Sequence, residues 1–259
     1  MPAATGCQPS RSQLALWKSL EKAASRHQAG LFLAEGCKVV QELLKSNWKT
    51  VTLLVMEEKK KQWEVLLSTA PEEVAVYDLT AAQWEKISQD KNPEGIMAVA
   101  ALVPRTGHSL LPASGHVILA YRTNNPNNLG ALMRTAHWFG FGTILLSTDC
   151  VDFANPKVVR ASMGSLFHLN ILSDLDFATV IPALKGHYLL IAGDVTMGVK
   201  PHPCAQPTAL LLGSESHGLP DELLAMADES WSIPGAGTAE SLSLPQAAAV
   251  MMYEIVKTK

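Results

Sequence analysis

Apolar residues in the first part of the chain alternate between two kinds of spacing. Short apolar and β-branched runs are typical of strands, and apolar residues three and four positions apart are typical of helices. By these patterns strands are predicted at 31–34, 51–56, 74–77 and 96–102, and helices at 11–24 and 35–45. Helices between strands predict a small α/β domain over residues 1–102.

The second part of the chain repeats this alternation with stronger signals. Unbroken apolar runs predict strands that are buried on both faces, as in a parallel sheet. These runs lie at 116–121, 143–147, 188–192 and 209–212, and helical patterns lie at 129–139, 156–163, 177–184, 221–226 and 244–257. Residues 116–259 are therefore predicted to form an α/β domain whose mostly parallel sheet has helices on both faces. The Pro- and Ser-containing stretch 103–115 is predicted to be a linker.

Composition excludes several classes of protein. Hydrophobic residues make up 47% of the chain and charged residues 17%, which is ordinary for a globular protein. No apolar run reaches the ~18 residues that cross a membrane, and the N-terminus lacks the pattern of a signal peptide. Four widely spaced cysteines predict neither a disulfide framework nor a zinc site, so a cytoplasmic protein without a bound metal is expected.

The charge is unevenly distributed. The net charge is −3, but residues 1–62 contain ten Lys or Arg against five Asp or Glu. Because phosphate contacts need local rather than total positive charge, a nucleic-acid partner is not excluded. Lys59, Lys60 and Lys61 fit such a contact, although a solvated turn explains them equally well.

Three polar loops follow predicted strands, where open parallel sheets bind ligands. The first, 124–130, combines Asn residues that cap a helix with Gly130, and Arg134 lies one turn further on the same helix face. The second, 213–218, contains two glycines and Glu215, without a Walker or GxGxxG phosphate motif. The third, 234–243, precedes an Ala-rich helix for which Ser243 is a good N-cap. Taken singly, each loop is also explained by ordinary capping or turn formation.

Together and in this order the loops resemble the SpoU/TrmH-type RNA 2′-O-ribose methyltransferases of the SPOUT class. Asn125 to Ala136 is similar to the family's NPxNxGxxxRTA motif, Gly213 to Leu219 to its G(S/N)ExxGL motif, and Ile233 to Ala249 to its IPxxGxxxSLN motif with the helix that follows. Val159 to Ser165 is similar to a further RASMGA segment. Residues 1–102 more loosely resemble the substrate-binding domain of the family, which is like RNA-binding ribosomal proteins.

The resemblance implies a fold, a cofactor and partners. It implies a C-terminal trefoil knot, an exception to the rule against threaded chains, and a homodimer formed near the first-motif helix and the last helix. It implies S-adenosylmethionine as cofactor and RNA as substrate, with ribosomal RNA favoured over transfer RNA. The residues that the resemblance assigns to the cofactor are Leu212, Gly213, Ser214, Glu215, Gly218, Ile233, Pro234, Ser241 and Leu242.

The resemblance also implies catalytic roles. The residue matching Arg134 takes part in activating the ribose 2′-hydroxyl, but because arginine stays protonated we expect it to orient the RNA phosphate and stabilise the forming alkoxide. Asn128 would hold the catalytic loop, Glu215 would hold Arg134 or the substrate, and Ser241 would position the third loop. Ser243 departs from the family's usual Asn, which affects a substrate hydrogen bond but not the cap.

Several alternatives stay open. They are a transfer RNA ribose methyltransferase, a base methyltransferase of the same class, a knotted RNA-binding protein without catalysis, and an ordinary nucleotide-dependent enzyme. Ser243 favours the silent protein, whereas the presence of Arg134, Glu215 and Ser241 argues against it. The missing phosphate motifs argue against the nucleotide-dependent enzyme.

Overall fold

The computed structural model describes residues 6–102, 114–194 and 197–257. The predicted linker falls almost entirely outside the described residues, at 103–113. The helices, in chain order, are α1 Arg11–Ser19, α2 Ala23–Ala29, α3 Cys37–Lys45, α4 Glu64–Leu67, α5 Ala81–Trp84, α6 Pro126–Trp138, α7 Pro156–Ala161, α8 Phe177–Leu184, α9 Asp221–Leu224 and α10 Leu244–Val256. The strands are β1 Leu31–Glu35, β2 Thr50–Met56, β3 Ala75–Leu79, β4 Ile96–Ala101, β5 His116–Ala120, β6 Phe141–Ser147, β7 Asn170–Leu175, β8 Leu189–Gly193, β9 Thr208–Leu212 and β10 Glu229–Trp231.

The chain divides into two compact units. The first unit comprises Met1–Val103 together with Asp152–Phe167, and the second comprises Pro104–Val151 and His168–Lys259. The segment 152–167 therefore groups with the N-terminal residues, although the sequence places it between strands of the second sheet. The domain boundaries 1–102, 103–115 and 116–259 stay a prediction.

The first unit is built on a four-stranded sheet of order β1-β4-β2-β3. β4 runs antiparallel to β1 and β2, and β2 runs parallel to β3. All four strands predicted in this part of the chain are confirmed. Their buried residues include Leu33, Leu54, Met97 and Val99, which pack with the α1 residue Trp17 in one core cluster.

The helix predicted over 11–24 is wrong beyond Ser19. The first helix ends there, and a second helix begins at Ala23. The break leaves the carbonyl oxygens of Leu20 and Glu21 outside regular helical bonding, and Arg26 Nη1 donates to them at 2.9 and 2.8 Å. A buried arginine thus explains why the helix is interrupted.

Arg26 is also paired with a carboxylate that is distant in sequence. Its side chain is 1% exposed, and its Nε donates to Asp152 Oδ2 at 2.8 Å. A charge so deeply buried is tolerated only when it is paired and hydrogen-bonded. The pair belongs to the first unit and attaches the start of the segment 152–167 to α2.

Aromatic contacts hold the rest of that segment within the first unit. The ring centroids of Phe32 and Phe167 lie 6.3 Å apart, and Trp48 lies 6.5 Å from Phe153 and 5.7 Å from Phe167. Arg160 of α7 forms a more exposed ion pair with Asp90 at 3.0 Å. The segment is thus packed by apolar and charged contacts along its length.

The lysine run in the first unit has intramolecular partners. Residues Glu57–Trp63 form a 3-10 helix. From it Lys59 Nζ donates to the carbonyl oxygen of Pro93, and Lys60 Nζ pairs with Asp78 Oδ2 at 2.7 Å. Two of the three lysines therefore have structural roles, which favours the structural explanation of this run over an RNA contact.

The second unit is built on a six-stranded sheet of order β10-β8-β9-β5-β6-β7, in which every pairing is parallel. The four predicted strands are confirmed, and β7 and β10 are additional. β7 was missed because Ser173 and Asp174 interrupt its apolar pattern, and β10 because it has only three residues.

Helices cover both faces of this sheet, as predicted. Val117, Leu119 and Leu211 pack in one core cluster with Phe177 of α8 and Leu223 of α9. Because successive strand residues point to opposite faces, the buried Ile118 and Leu210 point to the other face, where α6 and α10 pack on each other and on the sheet. The fold is therefore α/β with a parallel sheet flanked by helices.

Two further observations bear on the expectations from composition. Within the described ranges no helix is both long and apolar enough to cross a membrane. All four cysteines, Cys7, Cys37, Cys150 and Cys204, are free thiols.

Candidate active site

The three predicted loops leave the sheet at the same edge. The register pairs Ala120 of β5 with Leu212 of β9, and Gly193 of β8 with Trp231 of β10. Ala192 pairs with Leu211, so Gly193 is level with Leu212 and the four strands end in one row. Since neighbouring strands lie about 4.8 Å apart, the ends of β9 and β10 are separated by about 10 Å, with the end of β8 between them.

The first loop leads into α6 through a side-chain cap. Asn125 Oδ1 accepts hydrogen bonds from the backbone N–H of Asn127 at 2.9 Å and of Asn128 at 3.4 Å. Pro126 occupies the first helical position, where its missing N–H costs nothing. The helix thus begins at Pro126, three residues before the predicted start, and it fixes the position of Asn128.

The residues that connect β5 to the first loop are anchored to the end of β6 and the turn that follows it. The backbone N–H of Arg122 donates to Ser147 Oγ at 2.9 Å, and the N–H of Val151 donates to the carbonyl oxygen of Thr123 at 2.9 Å. The Cys150 thiol donates to the carbonyl oxygen of Ala120 at 3.3 Å. Burial raises the pKa of that thiol, so it remains protonated and serves as a structural donor.

A side-chain hydrogen bond joins the first and second loops. Asn128 Nδ2 donates to Glu215 Oε1 at 2.9 Å, across 87 positions of sequence. The pairing of Glu215 with Arg134, which was one of two expectations, is not observed. The structure instead connects Glu215 to the residue that was expected to hold the catalytic loop.

Arg134 lies on the exposed side of α6. Among the described residues it has no hydrogen-bond or ion-pair partner, so its guanidinium is available to a ligand. Its helix begins at the candidate site, but the structure does not join its side chain to Glu215 or to the third loop.

The second loop is closed by a short backbone bridge. Ser214 and Gly218 exchange N–H···O bonds of 3.1 and 3.0 Å, and Ser214 Oγ accepts from the N–H of His217 at 3.2 Å. Gly218 has φ +65°, and a Cβ on Gly213 would lie 2.3 Å from the carbonyl carbon of Gly218. Both glycines are therefore required by this turn, which presents Glu215 outward.

The third loop is open to solvent. Ile233 is half-buried, whereas Pro234 to Ser243 are exposed, with Leu242 48% exposed. Ser241 makes no hydrogen bond with any described residue. The roles of Ser241 and Leu242 at the site therefore stay a prediction.

Ser243 is the N-cap of α10, as predicted. Its Oγ donates to Gln246 Oε1 at 3.0 Å, and its backbone N–H donates to the same oxygen at 3.4 Å. Gln246 thus engages both the hydroxyl and the backbone N–H of Ser243 at the start of α10.

Sequence patterns missed part of this edge. Arg122, Asp149 and His217 line a pocket of about 390 Å³ beside Glu215. Arg122 lies just before the first motif and His217 lies within the second, so their positions were an available signal, but Asp149 follows a strand that carried no motif. In the part of the chain that is described, no cluster of three or more His, Cys, Asp or Glu could hold a metal ion.

Three loops thus follow the carboxyl ends of strands in a parallel α/β sheet, and the first two are joined by the Asn128–Glu215 bond. Open sheets of this kind bind ligands at that edge. Residues 115–253 match the model of the SpoU rRNA Methylase family, and residues 12–98 match that of an MRM3-like substrate binding domain. The chain therefore belongs to the SpoU rRNA Methylase family, and the predicted family is confirmed.

Relatives align over nearly the whole chain. The 23S rRNA (guanosine(2553)-2′-O)-methyltransferase RlmP of Bacillus subtilis is 27% identical over 92% of this chain and 94% of its own. A 23S rRNA (uridine(2479)-2′-O)-methyltransferase of Streptomyces viridochromogenes is 28% identical over 100% of this chain and 94% of its own. A crystal structure of an AdoMet-bound rRNA methyltransferase from Sinorhizobium meliloti matches with a TM-score of 0.79 and 25% identity, covering 96% of each chain.

Proposed function

We propose that the protein transfers a methyl group from S-adenosylmethionine to a ribose 2′-hydroxyl of ribosomal RNA. The observation that carries this proposal is the Asn128–Glu215 hydrogen bond, which joins the first and second family motifs at the carboxyl edge of the parallel sheet. The family models that match both parts of the chain support it, as do relatives that are named 23S rRNA 2′-O-methyltransferases.

The loops at this edge suit the proposed cofactor. The Gly213–Gly218 turn brings backbone segments into contact where any Cβ would clash, so that backbone polar groups and not side chains form that wall. Ile233, Pro234 and Leu242 offer apolar surface beside it, as an adenine ring requires. We propose that the cofactor is held by Leu212–Glu215, Gly218, Ile233, Pro234, Ser241 and Leu242.

The proposed chemistry assigns limited tasks to the protein. When bound, S-adenosylmethionine supplies the electrophilic methyl group. The ribose oxygen forms the new bond to carbon as the carbon–sulfur bond breaks, and the hydroxyl proton leaves to water or to an RNA phosphate oxygen. Arg134, which stays protonated, orients that phosphate and stabilises the forming alkoxide, while Glu215 fixes Asn128 and with it the start of α6.

A homodimer would give Arg134 a site. Trp138 and Tyr253 are 83% and 49% exposed, and with Val250 they form an apolar surface where α6 and α10 pack on each other. Exposed apolar patches of this kind mark interfaces. We propose that two copies associate through this surface, and that Arg134 of each acts at an assembled site.

The finer features of the fold belong to the same proposal. We propose that the C-terminal region forms the trefoil knot of the family, supported by the return of α10 onto β9 and α6. We propose that the first unit binds RNA as ribosomal proteins do, supported by its match to a substrate binding domain. A ribosomal RNA substrate and free thiols are consistent with action in the cytoplasm.

The test is methyl transfer to unmodified 23S ribosomal RNA transcribed in vitro. We expect labelled methyl groups at one nucleotide whose 3′ phosphodiester becomes resistant to alkali, because a 2′-O-methyl group blocks cleavage. Arg134→Ala is expected to abolish transfer while S-adenosylmethionine binding by calorimetry persists. Arg134→Lys tests the need for forked guanidinium geometry, and Lys185→Gln, an exposed change at the opposite edge of the sheet, is the matched control.

The outcomes separate the alternatives. If transfer RNA were methylated and ribosomal RNA were not, the proposed ribose methylation would stand and the proposed substrate would be wrong. Cofactor binding without transfer to either RNA, or no cofactor binding at all, would favour the silent RNA-binding protein and end the proposal of catalysis.

A further inference from the structure

A polar pocket adjoins the candidate active site. It has a volume of about 390 Å³, and it is lined by Arg122, Asn124, Asp149 and residues 214–217. Every lining side chain is polar or charged, so the pocket suits a charged, hydrogen-bonding ligand and not an apolar ring. Glu215 belongs both to this pocket and to the Asn128 bond, so a ligand in the pocket lies directly beside the catalytic loop.

Arg122, one of the residues that line this pocket, has a backbone conformation unusual for a residue other than glycine. Its φ is +49°, which is unfavourable for a residue with a Cβ. The conformation is secured by the bond from its backbone N–H to Ser147 Oγ at 2.9 Å, and its guanidinium lies 5.6 Å from the ring centroid of Tyr121. Backbone outliers of this kind concentrate at functional sites.

The partner of Arg122 is exchangeable. Arg122 Nη2 pairs with Asp149 Oδ2 at 3.1 Å, and the two side chains are 54% and 65% exposed. Such exposed pairs contribute little to stability. A phosphate offers the same forked guanidinium a stronger bidentate partner, so Asp149 keeps Arg122 in place without binding it tightly.

We propose that Arg122 binds an RNA phosphodiester next to the target nucleotide, with the phosphate replacing Asp149 as its partner. This inference rests on the proposed function, because it takes RNA to be the substrate. The pocket then acts as a subsite that sets the register of the strand, while Arg134 acts at the reacting ribose. Arg122 is a positioning residue in this scheme, and Asp149 is a competitor that the RNA must displace.

The two halves of the ion pair give opposite predictions. Arg122→Gln removes the phosphate contact, so binding to in vitro transcribed 23S ribosomal RNA should weaken about tenfold. The slope of log K against log salt concentration should also fall by about 0.7 for that one contact. Asp149→Asn removes the competitor, so binding should tighten about two- to fivefold. Lys185→Gln removes one charge at the opposite edge and should change neither quantity.

Each contrary outcome overturns the inference. Equal weakening by Arg122→Gln and Asp149→Asn would show that the pair is only structural. If the salt slope of Arg122→Gln were unchanged, Arg122 would contact a base or no RNA. If Arg122→Gln lost affinity for S-adenosylmethionine in calorimetry, the pocket would belong to the cofactor site. Methyl transfer by the unaltered chain is measured alongside: binding changes without any transfer refute the proposed function alone, whereas transfer without those changes refutes the Arg122 subsite alone.

Discussion

Replacing Arg26 with methionine is expected to destabilise the first unit by about 3 kcal/mol. The substitution keeps a long apolar stem and removes the donors that satisfy Asp152 Oδ2 and the carbonyl oxygens of Leu20 and Glu21. Removing one partner of a buried pair costs about 3–5 kcal/mol. The Asp152 side chain is 15% exposed, so water compensates part of the loss and the lower end applies.

The measurement should report on the first unit and not on the whole chain. Hydrogen–deuterium exchange of peptides from β1 and β4 gives the opening free energy of that sheet. Asp152→Asn leaves a guanidinium that is 1% exposed with only neutral partners, so its cost should be at least as large. The double variant should cost less than the sum of the two single variants, because both remove the same interaction.

The matched control is Arg160→Met. Arg160 also pairs with a carboxylate, Asp90 at 3.0 Å, but their side chains are 39% and 36% exposed, so its loss should cost no more than about 1 kcal/mol. Two results would show that burial of the Arg26–Asp152 pair does not explain the break between α1 and α2. One is that Arg26→Met proves no more destabilising than Arg160→Met, and the other is that the costs of Arg26→Met and Asp152→Asn simply add in the double variant.

Three further changes test the site and its sheet. Asn125→Ala should destabilise the second unit by about 1 kcal/mol in urea unfolding because α6 loses its cap, whereas Asn125→Asp should not, and equal losses would refute the cap. Gly213→Ala should cost about 1–3 kcal/mol and abolish S-adenosylmethionine binding in calorimetry, since its Cβ meets backbone at 2.3 Å; normal binding would contradict the closed turn. Desolvation by burial lowers the pKa of His116 below its usual 6.5, and its Nδ1 accepts from the N–H of Thr208 at 3.2 Å. Its contribution is therefore present above about pH 6.5 and lost as the pH falls from there through the folded pKa, and unfolding measured against pH should lose this slope in His116→Gln.

The strands of the second sheet that could be predicted are those with a continuous run of apolar residues. The strands from His116 and Thr208 are buried on both faces, and such strands have continuous apolar sequences that no other element of similar length explains. β10 is held mainly by its neighbour β8, so three residues suffice and no local pattern records them. The same applies to the break after Ser19, which depends on a buried arginine and on a carboxylate 126 positions away.

The candidate site was predictable as three loops but not as a set of contacts. The family resemblance assigned Asn128 and Glu215 to the same site, and the carboxyl edge of a parallel sheet explains why they meet. Their direct bond was not predictable, because the choice between Asn128 and Arg134 as partner for Glu215 depends on the rotation of α6 about its axis. Arg122 was missed because its significance lies in its backbone conformation and in the Ser147 hydroxyl that secures it.

The placement of residues 152–167 in the first unit affects the recombination of domains between members of this family. The chain enters the second unit, returns, and enters it again, so three peptide junctions connect the two units. A hybrid made by joining the N-terminal residues of one family member to the remainder of another would confront Phe32, Trp48 and Arg26 with foreign counterparts of Phe153, Phe167 and Asp152. Recombination at a single crossover is therefore disfavoured, and RNA preference is more readily changed by substitution within a lineage than by grafting a whole module.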